Sequence, residues 1–307
     1  MSPETGRARV LSSCALGEKK LANPQAREIM PRGEGVRSVN SSTVLAGHAK
    51  TEQEHRHDIC IVGRWMYEHE YIVACEGNVS VRLADGRILT TPTCMNKGCL
   101  APEDLVITDL GGHKCIGDRK MSSEILMHLL FYRMRPDVNA VCHAHPITAT
   151  GFASAGRALD QALLPEVIIG LGQVPLVRYA TPGTADLSQA LEPFVESYDA
   201  LLLANHGAVT CGPDLLTAFY RMETVEHFAK ILLAAENAGT PKLLSSREVA
   251  KLMAARSRYG VAAPPGAACE LPVTSDSEDG VADEVTLKRD ELDRLIEEAL
   301  RQDRARR

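Results

Sequence analysis

The segment Val141-Cys-His143-Ala-His145-Pro places two histidines two residues apart at the end of an apolar run. In a strand, residues i and i+2 project from the same face, so both imidazoles can reach one divalent cation, zinc being the first candidate. Two histidines also alternate on a strand by chance, and a third donor decides between these readings. Leu201-Leu-Leu-Ala-Asn-His206-Gly207 offers one, an apolar strand ending in a histidine where the chain must turn. Lys120-Met-Ser122-Ser123-Glu124 adds two hydroxyls and a carboxylate at an expected helix start, where free backbone N–H groups attract anions. Glu124 there can act as acid, base or fourth metal ligand, although the same pattern also serves as an ordinary helix cap. Glu76-Gly-Asn78-Val-Ser80 brings an amide donor into a strand. Thr91-Pro-Thr93-Cys-Met-Asn-Lys97-Gly98 has the composition to cradle a phosphate, or equally to form a solvated hairpin loop.

The elements that must position these residues are read from periodicity and turn chemistry. A helix is expected over 58–69, strands over 78–83 and 88–91 joined by an Asp85-Gly86 turn, and a further strand over 105–108. A helix over 122–133, stopped by Pro136, leads into a strand over 140–145. Apolar runs at 167–169, 174–177 and 200–204 read as strands, and helices are expected over 184–197, 213–237 and 246–258, the second with Pro213 in its first turn. Clustered strands with hairpin-like joins favour an α/β fold of three α/β/α layers, a central mostly antiparallel sheet flanked by helices. Residues 1–50, rich in Ser, Gly, Arg and Pro, read as a disordered leader ahead of a domain spanning 51–260. Residues 261–284 read as a linker, and 285–307 as an amphipathic helix carrying Leu287, Leu292, Leu295, Ile296 and Leu300 at helical spacing.

Composition narrows the function class. With 307 residues, 45% hydrophobic and 24% charged, the chain is an ordinary globular protein. A net charge of −6 argues against a general nucleic-acid binder. No run approaches the length of a membrane span. Nine cysteines, several inside apolar runs and none in Cys-x-x-Cys spacing, point to free thiols in a reducing cytoplasm.

Taken in order, Gly77-Asn78-Val79-Ser80, Thr91-Pro92-Thr93, Ser122-Ser123-Glu124, His143-x-His145 and His206-Gly207 resemble the class II aldolase/adducin family over about residues 56–260. The resemblance implies that His143, His145 and His206 bind zinc or another divalent metal such as manganese, with Glu124 as a ligand that substrate displaces and that then moves a proton at carbon. It implies that Asn78, Thr93, Ser122 and Ser123 hold the substrate phosphate. It places Tyr259 near a neighbouring subunit's active site in a homotetramer with active sites at subunit interfaces, acting on a small phosphorylated sugar without nucleic acid or membrane. Two positions depart from the pattern. Cys94 stands where a glycine is usual, and Ile169 stands where the fuculose-phosphate aldolases of the family carry a tyrosine that handles the proton on the aldehyde oxygen.

The chemistry expected of such a site is reversible cleavage of a ketose 1-phosphate, such as L-fuculose 1-phosphate, to dihydroxyacetone phosphate and an aldehyde. The enediolate formed would be stabilised by the metal as Lewis acid. Rival readings on the same fold are an aldolase for a 5-deoxy- or 5-methylthio-pentulose 1-phosphate, a methylthioribulose-1-phosphate dehydratase, and a pentulose-phosphate 4-epimerase, which usually carries Asp at the position of Glu124. A rival of another class is a non-catalytic, adducin-like scaffold.

Overall fold

Thr51 and Glu54 start the first helix. The Thr51 hydroxyl accepts the Glu54 N–H at 3.3 Å and the Glu54 carboxylate accepts the Thr51 N–H at 2.7 Å, a reciprocal cap of two otherwise orphaned donors. Helix α1 therefore spans Glu52–Glu68, six residues longer at its start than the apolar spacing implied. The computed structural model describes residues 50–262. The leader expected over 1–50 (except Lys50), the linker beyond Ala262 and the helix expected over 285–307 lie outside the described residues.

Strands β1 (Asn78–Arg82), β2 (Ile88–Thr90), β3 (Val106–Thr108) and β4 (Lys114–Ile116) follow as an antiparallel meander. Helix α2 (Ile125–Met134) leads into β5 (Ala140–Ala144), α3 (Ile147–Ser154), α4 (Pro165–Gly170) and β6 (Leu176–Val177). Helix α5 (Ala185–Val195), the hairpin β7 (Ala200–Leu203) and β8 (Gly207–Gly212), then α6 (Leu215–Ala238) and α7 (Ser246–Ala255) complete the order. The eight strands form one sheet in the order β4-β3-β2-β1-β5-β8-β7-β6, antiparallel except for the β6–β7 pair.

Strand alternation divides the core in two. Val79, Val81, Ala140, Cys142, Ala144 and Leu202 turn to one face, where they meet Ile59 and Met66 of α1 and Phe219 and Met222 of α6. Val141, Leu201, Leu203 and Val209 turn to the other and meet Leu129 and Phe131 of α2 and Leu191 of α5. The three-layer α/β architecture expected from the sequence is thus the one observed.

The structure corrects several local expectations. Residues 167–169 lie in helix α4, because Pro165 presets the first helical turn and a short apolar run carries no periodicity to separate strand from helix. Helix α2 begins at Ile125, with Glu124 at its cap rather than in its first turn. Asp214, not Pro213, sets the start of α6, its carboxylate accepting the Thr217 N–H at 2.8 Å.

Glu226 of α6 is 1% exposed, and its carboxylate accepts the Thr148 and Ala149 N–H groups at 3.1 and 2.8 Å, at the first turn of α3. A buried anion at a helix N-terminus satisfies orphaned donors and the dipole together. Because α3 starts two residues after His145, this contact also anchors the segment that carries that histidine. Glu226→Ala leaves a buried and a half-buried N–H group without their acceptor and is expected to lower the unfolding free energy by about 2 kcal/mol, read from the midpoint of a urea titration.

Candidate metal centre

His143 and His145 leave the end of β5, His206 sits in the β7–β8 turn, and Glu124 caps α2. Pairing of β5 with β8 and of β8 with β7 brings the three histidines together. Asn205, with φ of +55°, makes the turn that aims His206 inward; asparagine tolerates this left-handed conformation better than most residues. One ligating atom from each of the three histidines lies within 4.8 Å of the others. His145 Nε2 is 3.2 Å from His143 Nε2. Glu124 closes the group, with Oε2 at 3.3 Å from His143 Nε2 and Oε1 at 3.2 Å from His206 Nε2.

The surroundings prepare these atoms for a cation. His143 is fully buried and its Nδ1–H donates to the Ala208 carbonyl at 2.9 Å, which leaves the Nε2 lone pair facing the centre. His145 Nδ1 lies 3.3 Å from the Glu76 carboxylate, a partner that performs the same service. Glu124 Oε1 is buried and faces His206 Nε2 at 3.2 Å, a position that is costly unless something positive meets it. Burial opposes the charge on Glu124, but the neighbouring charges of His143 and His206 outweigh it and hold the carboxyl well below its usual range. Burial, with His143 and His206 adding to it, pushes His145 down to about 3. Three imidazole nitrogens with a single displaceable carboxylate form the donor set of a catalytic zinc site, and manganese or another divalent ion suits it too. The residues present fit such a metal.

The expected phosphate residues lie around this centre. The Asn78 amide donates to Glu124 Oε2 at 2.9 Å. The Thr93 N–H donates to the Lys120 carbonyl at 3.0 Å and Pro92 bridges to Met121, which joins the 91–97 loop to the segment bearing Ser122 and Ser123. The Ser122 hydroxyl accepts the Glu124 N–H at 3.2 Å, leaving its own hydrogen to donate, while Ser123 is exposed. Cys94 adopts φ of +57°, so it keeps the left-handed turn that a glycine would take more cheaply. Lys97 is turned away from the role its loop suggested. It is buried, and its ammonium donates to the carbonyls of Cys75 at 2.7 Å and Met95 at 2.9 Å, tying the loop before β1 to the loop after β2.

Tyr259 is 67% exposed, in a short turn after α7. Ile169 is half-buried in α4 and Tyr179 is exposed. Sequence reasoning passed over Glu76 as a catalytic-site residue and did not single out His128, whose ring meets the Asn78 side-chain oxygen. A histidine in the middle of an apolar helix carries no sequence signal that separates it from core.

A mixed sheet between helix layers, with a three-histidine cluster that could hold a metal, defines the class. The family model described as Class II Aldolase and Adducin N-terminal domain matches residues 57–233, and the chain belongs to that family. It is 36% identical over 193 residues to the 3-oxo-tetronate 4-phosphate decarboxylase of Escherichia coli K12, covering 61% of this chain and 90% of the relative. It is 34% identical over 169 residues to the L-fuculose phosphate aldolase of Methanococcus maripaludis, covering 55% of this chain and 90% of the relative. Among solved structures, YgbL of Escherichia coli matches with a TM-score of 0.63 at 33% identity, over 66% of this chain and all of that one. An L-fuculose 1-phosphate aldolase matches with the same TM-score at 30% identity, over 70% of this chain and all of that one. No helix among the described residues is long and apolar enough to cross a membrane.

Proposed function

We propose that this chain is a carbon–carbon lyase that decarboxylates a small 3-oxo sugar acid phosphate, of the 3-oxo-tetronate 4-phosphate type. Ile169 carries the choice of reaction. Aldol cleavage of a ketose 1-phosphate and decarboxylation of a 3-oxo-tetronate 4-phosphate both pass their bonding electron pair into the same species, the enediolate of dihydroxyacetone phosphate. They differ in the fragment that leaves. In aldol cleavage a base must take the proton from the hydroxyl that becomes the aldehyde oxygen, the task of the tyrosine that Ile169 replaces. Carbon dioxide leaves from a carboxylate that is already ionised, so no second acid–base group is needed. Similarity to the decarboxylase over nine-tenths of its length supports this reading.

His143, His145 and His206 would hold the metal, zinc or manganese, and a divalent cation bound there supplies Lewis-acid stabilisation of the negative charge that develops on the substrate oxygens. Asn78, Thr93, Ser122 and Ser123 would hold the phosphate and fix the reacting carbon against Glu124. Glu124 would take a proton from water and deliver it to carbon, a role supported by its carboxylate lying 3.3 Å from His143 Nε2 and 3.2 Å from His206 Nε2. The exposed Tyr259 is free to reach a neighbouring active site in a homotetramer. The second reading is the aldolase for L-fuculose 1-phosphate or a related ketose 1-phosphate, which the 34% identical relative supports and which needs Tyr179, the neighbour's Tyr259 or a water for the missing proton transfer.

A single pair of assays separates them. Zinc- or manganese-loaded protein is given 3-oxo-tetronate 4-phosphate and, separately, L-fuculose 1-phosphate. Equal release of carbon dioxide and dihydroxyacetone phosphate from the first, lost on chelation, is the expected result. Aldehyde release from the second with no carbon dioxide from the first replaces the decarboxylase with the aldolase. Turnover of neither by metal-loaded protein favours a scaffold.

A further inference from the structure

Five polar side chains run in a line from the centre into the interior: Glu124, Asn78, His128, Ser80 and Tyr132. Tyr132 is 2% exposed, His128 1%, Ser80 0% and Asn78 3%. Asn78 and Ser80 share one face of β1, and His128 and Tyr132 lie one turn apart on α2, so strand and helix periodicity bring the four together. Only the first two take part in the reaction proposed above.

The hydrogen bonds in the line follow one from another, starting at the centre. The Asn78 amide nitrogen donates to Glu124 Oε2 at 2.9 Å. The Asn78 oxygen then faces His128 Nε2, which must carry a hydrogen. Burial pushes His128 down to about 3, so the ring is neutral and its other nitrogen is an acceptor. Ser80 Oγ–H donates to that Nδ1 at 2.7 Å, and the Tyr132 hydroxyl donates to Ser80 at 2.8 Å. A neutral imidazole with its hydrogen on Nε2 joins the Asn78 acceptor on one side to the Ser80 donor on the other.

We propose that His128 is a positioning residue: its Nε2–H holds the Asn78 side-chain oxygen and so keeps the amide N–H pair turned toward Glu124 and the substrate phosphate. The proposal rests on the reading that Asn78 binds phosphate. Without that hold the amide is free to rotate, and its oxygen would face two anions. A histidine buried only to fill the core would leave phosphate affinity untouched.

The test uses the full-length, zinc-loaded protein, with inorganic phosphate as the probe, followed by calorimetry. His128→Phe keeps the ring volume and removes both nitrogens. It is expected to weaken phosphate binding at least tenfold, with zinc content unchanged. His128→Gln restores an N–H toward Asn78 and is expected to bind within threefold of the parent. Undiminished phosphate affinity in folded His128→Phe, or His128→Gln as weak as His128→Phe, overturns the proposal. Neutron diffraction of the unaltered protein gives a second reading that needs no variant. A deuteron on His128 Nε2 with Nδ1 bare supports the proposal, and a deuteron on Nδ1 alone overturns it. If the unaltered protein takes no phosphate, the substrate assignment falls, and the neutron result alone decides whether His128 orients Asn78.

Discussion

His143→Ala is expected to abolish stoichiometric metal binding and to lower activity by roughly a thousandfold, while the fold survives. His143 sits at the middle of the group, within 3.2 Å of His145 and 3.3 Å of Glu124. Its Nδ1–H bond to the Ala208 carbonyl sets the one tautomer that offers Nε2 to a cation. Alanine leaves two histidines and one carboxylate, too few donors for a closed tetrahedral set. Lewis-acid stabilisation amounts to several kcal/mol of transition-state energy, and each 1.36 kcal/mol is a factor of ten in rate, hence the predicted magnitude. Metal content by mass spectrometry and a thermal melt provide readouts independent of turnover. A ligand that binds only the folded state at a hundred times its Kd adds about 2.7 kcal/mol, which raises the melting temperature of a domain of this size by roughly 5–10 °C. Zinc should produce that rise in the parent protein and none in His143→Ala. His113→Ala serves as the control. That imidazole is 84% exposed and pairs with Asp109 on a surface turn, and its loss should move stability by less than about 0.5 kcal/mol.

The three histidines were legible because each sits where a regular strand ends. Period-two alternation put His143 and His145 on one face, and the apolar run before His206 announced a strand that must turn. What the alternation could not supply was the order of strands in the sheet, and it is the β5–β8–β7 order that brings His206 to the pair. Strand β8 itself escaped notice because glycines bound it at both ends, and glycine reads as turn. Helix α3 escaped because its residues, small or β-branched apart from Phe152, give no amphipathic stripe; it is held by Glu226, seventy-eight residues away from Thr148. Lys97 looked like a phosphate ligand because loop lysines usually reach outward. Here two backbone carbonyls draw it in, a contact that depends on where Cys75 lies rather than on any local spacing. The supporting partners, Glu76, Ala208 and His128, are all products of tertiary contact, and composition around them is silent.

Gly207→Ala is expected to have a large structural effect for a single methyl group near the centre. A Cβ at this position would lie 2.4 Å from the Ala144 carbonyl oxygen and 2.6 Å from His145 Cδ2. Neither neighbour can give way cheaply. Ala144 is paired with Ala208 in the β5–β8 ladder, so moving its carbonyl breaks the register that holds His143 opposite Val209. His145 is itself a proposed ligand, braced by Glu76 on its far nitrogen. The glycine is required by this close approach of two backbones and not by a left-handed conformation, since its φ is not among the positive ones. Overpacking of a tight contact costs about 3 kcal/mol at the upper end of what cores show. Part of that strain should be relieved by pushing the His145 ring aside, and displacement of a reacting group by about 1 Å costs on the order of a hundredfold in rate. The variant should therefore fold with a lowered denaturation midpoint, bind zinc more weakly in a chelator competition, and turn over about a hundredfold more slowly. The paired variant Gly207→Ala with His145→Ala removes the ring that the methyl strikes. If strain against His145 is the main source of the loss, the double variant should regain stability relative to Gly207→Ala alone without regaining zinc. A stability loss that is unchanged by removing the ring would instead locate the strain in the Ala144 carbonyl and the β5–β8 ladder.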